Sequence, residues 1–344
     1  MGQNQIVKKI LLITVFVTLF GSGLAAQDSG STLLEQYEDR LKTDEFNVIM
    51  LLQSTADFSF KDDDFNGGRQ FGMGANLLDF KGSLPNNFSY RLQLQLNRTP
   101  AILDGQVGYR FSDQFRVIAG SMKPALSVDL DPSPASTDMI DRARLVGSMM
   151  NVREIGLSFL GDFENFYYRA GLYNGNGLNA GNDNRFQYTA RVGFKTETGS
   201  EGELDIGVNS SLNRTEQETV GNSGLISAGD RVLYGFYLIY DSDSIFGTIE
   251  FLETQFELDG AGDDETISGF YATVGNQVTE KSQLLLRWDR LAYSLSPIPT
   301  SDQLIVGWNY QVNQLVSFQL NGIYQVNDGV DDQLGVSTNF QFYF

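Results

Sequence analysis

From Phe46 to the C-terminus, apolar and polar residues alternate over runs of about ten, and Gly, Asn, Asp and Ser separate the runs. Alternation of this kind gives each face of a β-strand its own chemistry. In Tyr90-Arg91-Leu92-Gln93-Leu94-Gln95-Leu96-Asn97, the tyrosine and three leucines share one face, and Arg91, Gln93, Gln95 and Asn97 share the other. The run Phe186 to Lys195 repeats the arrangement, as does Val316 to Asn321, and the chain closes on Val336-Ser337-Thr338-Asn339-Phe340-Gln341-Phe342-Tyr343-Phe344. The pattern predicts about sixteen strands, near 45–60, 68–82, 87–98, 101–111, 115–124, 152–160, 165–174, 185–196, 202–214, 230–240, 245–257, 266–277, 281–292, 302–311, 315–325 and 333–344.

Two architectures accept such strands. A soluble sandwich has one dry and one wet face; a membrane barrel turns its apolar face to lipid and its polar face to a watery lumen. Strands of about ten residues favour the barrel, since soluble sheets average five or six. The connections also favour it. Those after even strands are short (112–114, 241–244, 312–314), and those after odd strands are mostly long (61–67, 174–184, 215–229, 258–265, 325–332), with Thr99-Pro100 as the exception. An even strand count with short periplasmic turns and longer outer loops is the pattern of bacterial outer-membrane barrels. Unpaired strand edges cannot face lipid, so the sheet must close. The expected fold is therefore an all-β transmembrane antiparallel barrel of about sixteen strands, occupying 45–344, in contact with outer-membrane lipids and lipopolysaccharide.

The first residues read as an address. Lys8 and Lys9 precede the apolar run Ile10 to Phe20, and small residues follow at 21–26, which predicts a signal peptide over 1–26 cleaved after Ala25 or Ala26. No Cys stands there to take a lipid. Residues 27–44 are expected to form a short periplasmic segment, with helical spacing at Leu34, Tyr37 and Leu41. No later stretch has about twenty continuous apolar residues, which excludes a helical membrane protein.

Composition narrows the chemistry. The 344 residues include no Cys and no His, so a Ser-His-Asp or Cys-His nucleophile, a disulfide framework and an ordinary zinc site are excluded. A formal charge of −19 disfavours nucleic acid. No enzyme, cofactor or metal is expected. The acidic groups Asp62-Asp63-Asp64, Asp259 to Glu265 and Asp328 to Asp332 lack EF-hand spacing and read as solvated loops rather than divalent-cation sites.

The ordered set Leu103-Asp104-Gly105-Gln106-Val107-Gly108-Tyr109, Gly120-Ser121-Met122-Lys123-Pro124, Ile140-Asp141-Arg142-Ala143, Gly156 to Gly161 and Gly171 to Gly175 resembles the phosphate-selective porin O and P family. Phe71 to Gly82 and Phe88 to Arg98 resemble its preceding strand pair, and Asp141 stands where the family has Glu. The likeness is good over 45–195 and weaker beyond. It implies a homotrimeric sixteen-stranded channel for small inorganic ions or solutes, phosphate-like anions among them. It also implies that the loop after strand 5, about 124–151, folds into the lumen. The terminal Phe344 resembles the signal read by the barrel-assembly machinery.

Strand parity points Arg91, Arg169, Arg191 and Arg287 into the lumen, Arg116 less clearly, and the inward loop carries Lys123, Arg142 and Arg144. Arginines in a narrow lumen favour oxyanions. The same loop holds Asp129, Asp131, Asp138 and Asp141, and Asp104, Glu154, Asp205 and Asp289 share the lumen face, so each arginine can equally be a structural partner. The expected function is passive diffusion through an outer-membrane porin, with anion or cation preference open; the alternative is a structural or adhesive barrel without conductance.

Overall fold

Each stave of the sheet is antiparallel to its two neighbours, and the last pairs with the first. The computed structural model describes residues 41–61, 68–182, 184–199, 202–214 and 217–344. The expected signal peptide, nearly all of the 27–44 segment and the run Asp62-Asp63-Asp64 lie outside the described residues.

The staves are β1 (Asn47–Ser59), β2 (Arg69–Met73 and Leu77–Leu84), β3 (Phe88–Gln95), β4 (Ile102–Ser112), β5 (Phe115–Met122), β6 (Glu154–Asp162), β7 (Phe166–Tyr173) and β8 (Gln187–Glu197). They continue as β9 (Gly202–Asn213), β10 (Ile226–Ser242), β11 (Ile245–Leu258), β12 (Asp264–Thr279), β13 (Ser282–Tyr293), β14 (Ser301–Gln311), β15 (Val316–Asn327) and β16 (Gln333–Tyr343). The two halves of β2 lie end to end along β1, opposite 54–58 and 47–51, so they make one stave. The short pair Glu218–Thr219 only prolongs a hairpin against β10. Sixteen staves result, and β1 closes on β16 from Leu51↔Tyr343 to Ser59↔Gly335. Closure leaves no edge to lipid.

The break in β2 has a local cause. The Gln53 carbonyl oxygen of the side chain accepts the Ala75 amide at 2.8 Å, and the Asn76 side-chain oxygen accepts the Gln53 amide at 3.0 Å. Side chains thus replace the ladder to β1 at 75 and 76, while the Gly74 amide still reaches the Gln53 backbone carbonyl at 3.2 Å. A Cβ on Gly74 would stand 2.8 Å from the Gln53 side chain, so this crossing requires glycine.

Alternate residues such as Val107, Phe194, Val208, Phe236, Leu284, Val306 and Phe340 are exposed on the outer face. Ring contacts Phe88–Tyr109–Phe111–Phe115, Phe163–Phe166 and Trp308–Phe318 gather beside the short turns, as an interfacial aromatic girdle does.

The expected polar inner face holds over most of β2–β9, apart from Leu77 and Leu103, which pack with Leu51 against Ala135 of the loop, and gives way at many positions of β10–β15. There Leu233, Leu252, Phe256, Ile267, Tyr271, Leu285, Leu291, Ile305 and Ile323 point inward and are buried. Their cover is the connection 123–153 between β5 and β6, which holds a 3-10 turn (Pro134–Ser136) and helix α1 (Arg144–Met149). Leu126, Leu130, Leu145, Val146, Met149 and Met150 pack on one part of that apolar wall and Met139 on another. Each fully buried side chain of this kind contributes about 1.5–3 kcal/mol. Helix α1 comes so near the wall that a Cβ on Gly269 would lie 2.5 Å from the Leu145 Cβ. From the mouth side, Val220 inserts into the same cluster, and the Asn222 amide donates to the Gly147 carbonyl at 2.6 Å.

The candidate pore and its charged lining

Charge inside the barrel divides into a spent half and an available half. The spent half lies under the loop. Glu250 on β11 accepts the Ser127 hydroxyl at 2.7 Å, the Val128 amide at 2.9 Å and the Asn209 side-chain amide at 3.2 Å. Asp289 on β13 takes the Arg144 amide at 2.9 Å and its Nε at 3.0 Å, and Arg144 Nη1 donates to the Ser301 hydroxyl at 2.6 Å. Asp129 accepts Arg287 Nη2 at 3.1 Å and the Ala143 amide at 2.6 Å. These carboxylates have their lone pairs occupied in low-dielectric surroundings.

The basic residues expected in the pore separate accordingly. Arg287 is 1% exposed, with Thr273, the Asp141 carbonyl and the Tyr271 ring as its other neighbours. Arg142 donates to the carbonyls of Asp129 and Pro132, and Lys123 donates to those of Leu130, Asp131 and Pro132 at 2.8–3.0 Å. Together these two cations ring the carbonyls of the loop tip. Arg191, on β8, is 4% exposed; it bonds Asn209 at 2.7 Å and holds Asp131 of the loop. Arg142, Arg144, Lys123 and Arg287 are thus joined to the loop and its wall rather than turned to open water.

Arg91, Arg116 and Arg169 stand on the other half. Arg91 bridges Asp79 at 2.6 Å and Asp104 at 3.2 Å. Arg169 pairs with Asp162 at 2.6 Å and remains partly exposed. Arg116 has no hydrogen bond or ion pair among the described residues. It faces Arg110 directly across the β4–β5 ladder. The acidic residues Asp138 and Asp141 reach the lumen from the loop; enclosure raises both carboxyls above the ordinary aspartate value, with Arg287 opposing.

Further inward cations were not anticipated, Arg231 on β10 among them. Arg110 shares a face with Asp104, Lys81 sits in register with Arg91, and Lys195 follows Arg191 by four positions on β8. Counting every second residue from Asp104, Asp79 or Arg191 would have found all three. Arg153, just before β6, is buried against Asp104 at 2.5 Å and Gln93 at 3.0 Å; no strand period marks it, because it lies in the loop. Lys81, Arg110 and Arg116 are exposed and carry no ion pair among the described residues. With Arg91, Arg169 and Lys195 they form an arc over β2–β8, each a few residues from a short turn. Among the described residues no three acidic side chains gather to hold a metal ion.

Comparison with known proteins agrees with this architecture. The family model of phosphate-selective porin O and P matches residues 46–232. Among solved structures, the anion-selective porin from Comamonas acidovorans superposes with a TM-score of 0.68 at 12% identity, covering 87% of this chain and 99% of that one. A trimer form of OmpT, an outer membrane protein of Vibrio cholerae, gives 0.63 at 10% identity, with 87% and 99% covered. Salmonella typhi OmpF, in complex with daunomycin, gives 0.62 at 8%, with 87% and 97% covered. A search of curated proteins gave no match. A family match over more than half the sequence, on a closed sixteen-stave barrel with an apolar outer face, places the chain: it belongs to the phosphate-selective porin O and P family of channels in the bacterial outer membrane.

Proposed function

We propose that this outer-membrane porin passes small solutes by diffusion with a preference for anions, without catalysis. The carrying observation is the asymmetry of the lumen. The loop spends Glu250, Asp289 and Asp129 on one wall, while Lys81, Arg110 and Arg116 stand exposed on the other without an ion pair among the described residues. A low-dielectric wall focuses the field of those cations into the channel, so the net charge of −19 does not govern the pore. The anion-selective relative supports the reading at the level of fold.

The test is the reversal potential across a planar bilayer in a salt gradient. The wild type should lie on the anion side, and Arg110→Glu with Arg116→Glu should move it toward the cation side. A cation-side wild type would overturn the preference, and a barrel without conductance would favour the structural alternative.

A trimer is part of this proposal. Staves β3, β5 and β7 have eight residues each. At roughly 3.3 Å per residue and a tilt near 40°, eight residues climb about 20 Å, less than the ~25 Å apolar band of such barrels. A protein neighbour covers a wall that short better than lipid does, and a trimer form is recorded for the Vibrio cholerae relative. Cross-linking in native membranes reads the subunit number. Removal of 1–26 on export, and recognition of Phe344 by the assembly machinery, complete the proposal; N-terminal sequencing of membrane-extracted protein and assembly of a chain lacking Phe344 test them.

A further inference from the structure

The loop carries two kinds of acid, and the barrel treats them differently. Asp129 and Asp131 are taken up by Arg287 and Arg191. Asp138 and Asp141 have no side-chain hydrogen bond or ion pair among the described residues, and both keep exposed surface, Asp141 more than Asp138. Arg287, the cation felt by both, has Nη2 on Asp129 and Nη1 on the Asp141 backbone carbonyl. The arm that bears them is docked without charge. On the adjacent staves β14, β15, β16 and β1, side-chain carboxamides take its backbone groups one after another. Gln53 donates to the Pro134 carbonyl at 3.0 Å, Gln341 to that of Ala135 at 2.9 Å, Gln319 to that of Thr137 at 3.0 Å and Asn309 to that of Asp138 at 2.9 Å. Asn321, with its amide turned so that both atoms are satisfied, accepts the Ile140 amide at 3.1 Å. The row is also tied to itself, Gln53 to Gln341 at 2.8 Å and Asn339 to Gln319 at 2.9 Å. Between the Asp138 and Ile140 bonds, Met139 is fully buried against Leu285, Ile305 and Ile323.

These bonds go to backbone atoms, so they fix where the arm lies whatever its side chains are. A lysine or arginine could hold the same carbonyls, as Lys123 and Arg142 do at the loop tip, but its charge would offset the neighbouring carboxylates. A carboxamide adds no charge. Its donor meets the carbonyl, and the acid beside it remains free to act on ions in the lumen. We propose that the carboxamide row, Asn309 and Gln319 above all, is a set of positioning residues for selectivity. It holds Asp138 and Asp141 in the solute path as uncompensated negative groups, which temper the anion preference set by Lys81, Arg110 and Arg116. The proposal deepens the channel reading and rests on it.

The experiment is a double-mutant cycle read as the reversal potential in a potassium chloride gradient across a planar bilayer. One arm is Asn309→Leu with Gln319→Met, which keeps side-chain volume and removes the donors, while β14 and β15 stay paired on both sides. The other arm is Asp138→Asn with Asp141→Asn, which keeps the row and removes the charge. In the wild-type background the row variant should raise the chloride-over-potassium permeability ratio about two- to fivefold, the worth of a charge released into wider, better-screened water. Each row substitution alone should give part of that rise, which serves if the pair does not assemble. In the Asp138→Asn, Asp141→Asn background the same substitutions should leave the ratio unchanged. An equal rise in both backgrounds would overturn the proposal, because the row would then act on pore width alone. No rise in the wild-type background would also overturn it while leaving the channel standing. Absence of conductance in the wild type would remove both.

Discussion

Arg144 grips Asp289 from three directions: its amide and Nε reach the carboxylate at 2.9 and 3.0 Å, and its Nη2 reaches the Asp289 carbonyl at 2.7 Å. One residue thereby opens helix α1 and joins it to β13. Carboxylates at the start of a helix also meet its free amides favourably.

Arg144→Ala leaves the Asp289 carboxylate buried with its main partner gone. Breaking a buried pair costs about 3–5 kcal/mol, and the loss falls on loop docking, because the β13 ladder pairs on both sides without it. The variant should assemble into membranes and give larger, noisier current steps than the wild type. Single-channel recording checks this.

Arg287→Met should behave differently from the arc variants. Its guanidinium neutralises Asp129 beneath the loop and is hidden from the lumen. Thermal stability of the folded barrel should fall, by about 3–5 kcal/mol locally, whereas the reversal potential of the folded fraction stays at the wild-type value. A shift of the potential as large as that of Arg116→Glu would place Arg287 in the selective path.

Acidification should strengthen anion preference. The Asp138 and Asp141 carboxyls titrate above the ordinary aspartate range because the barrel encloses them. They therefore lose their negative charge at a higher pH than free aspartate, near 3.9, would. As pH falls through that raised value, the lumen becomes more positive and the reversal potential moves further to the anion side. The double variant Asp138→Asn, Asp141→Asn should show part of that shift already at neutral pH, and a double variant with the wild-type reversal potential at neutral pH would take these two carboxyls out of the ion path.

Gly221 has φ +53° and its missing Cβ would lie 2.3 Å from the Gly147 carbonyl oxygen. Gly221→Ala should therefore lift residues 217–225 away from α1, at a cost of about 1–3 kcal/mol. Faster limited proteolysis between β9 and β10, with intact barrel migration on gels, is the expected outcome.

Much of the architecture can be read directly along the chain. Alternation places all sixteen staves within a few residues, because lipid outside and water inside impose opposite chemistry on neighbouring positions. The reading misses where that condition lapses. Leu284-Leu285-Leu286 on β13 is apolar on both faces, since Leu285 meets Met139 of the loop rather than water. The interruption at 74–76 escapes because a glutamine side chain from another strand causes it. For the charged residues, parity identifies which face Arg191 and Arg287 occupy. It carries no information on whether a loop residue, 60 positions from Arg191 and 158 from Arg287, covers that face. Of the basic residues expected in the pore, Arg116, the position least clear from its strand, is the one without a hydrogen bond or ion pair among the described residues.

The apolar wall under the loop orders events during assembly. The connection 123–153 is made early in the chain, but its docking surface is supplied by β10–β16, and the bond from Gln341 to the Ala135 carbonyl spans 206 residues. Contacts so distant in sequence form late. The nascent barrel must therefore shelter Leu126, Leu130, Leu145 and Met149 until its final staves arrive, and the narrow channel exists only after the last hairpin has closed. Selectivity is in this sense a property of the completed ring and of none of its earlier intermediates.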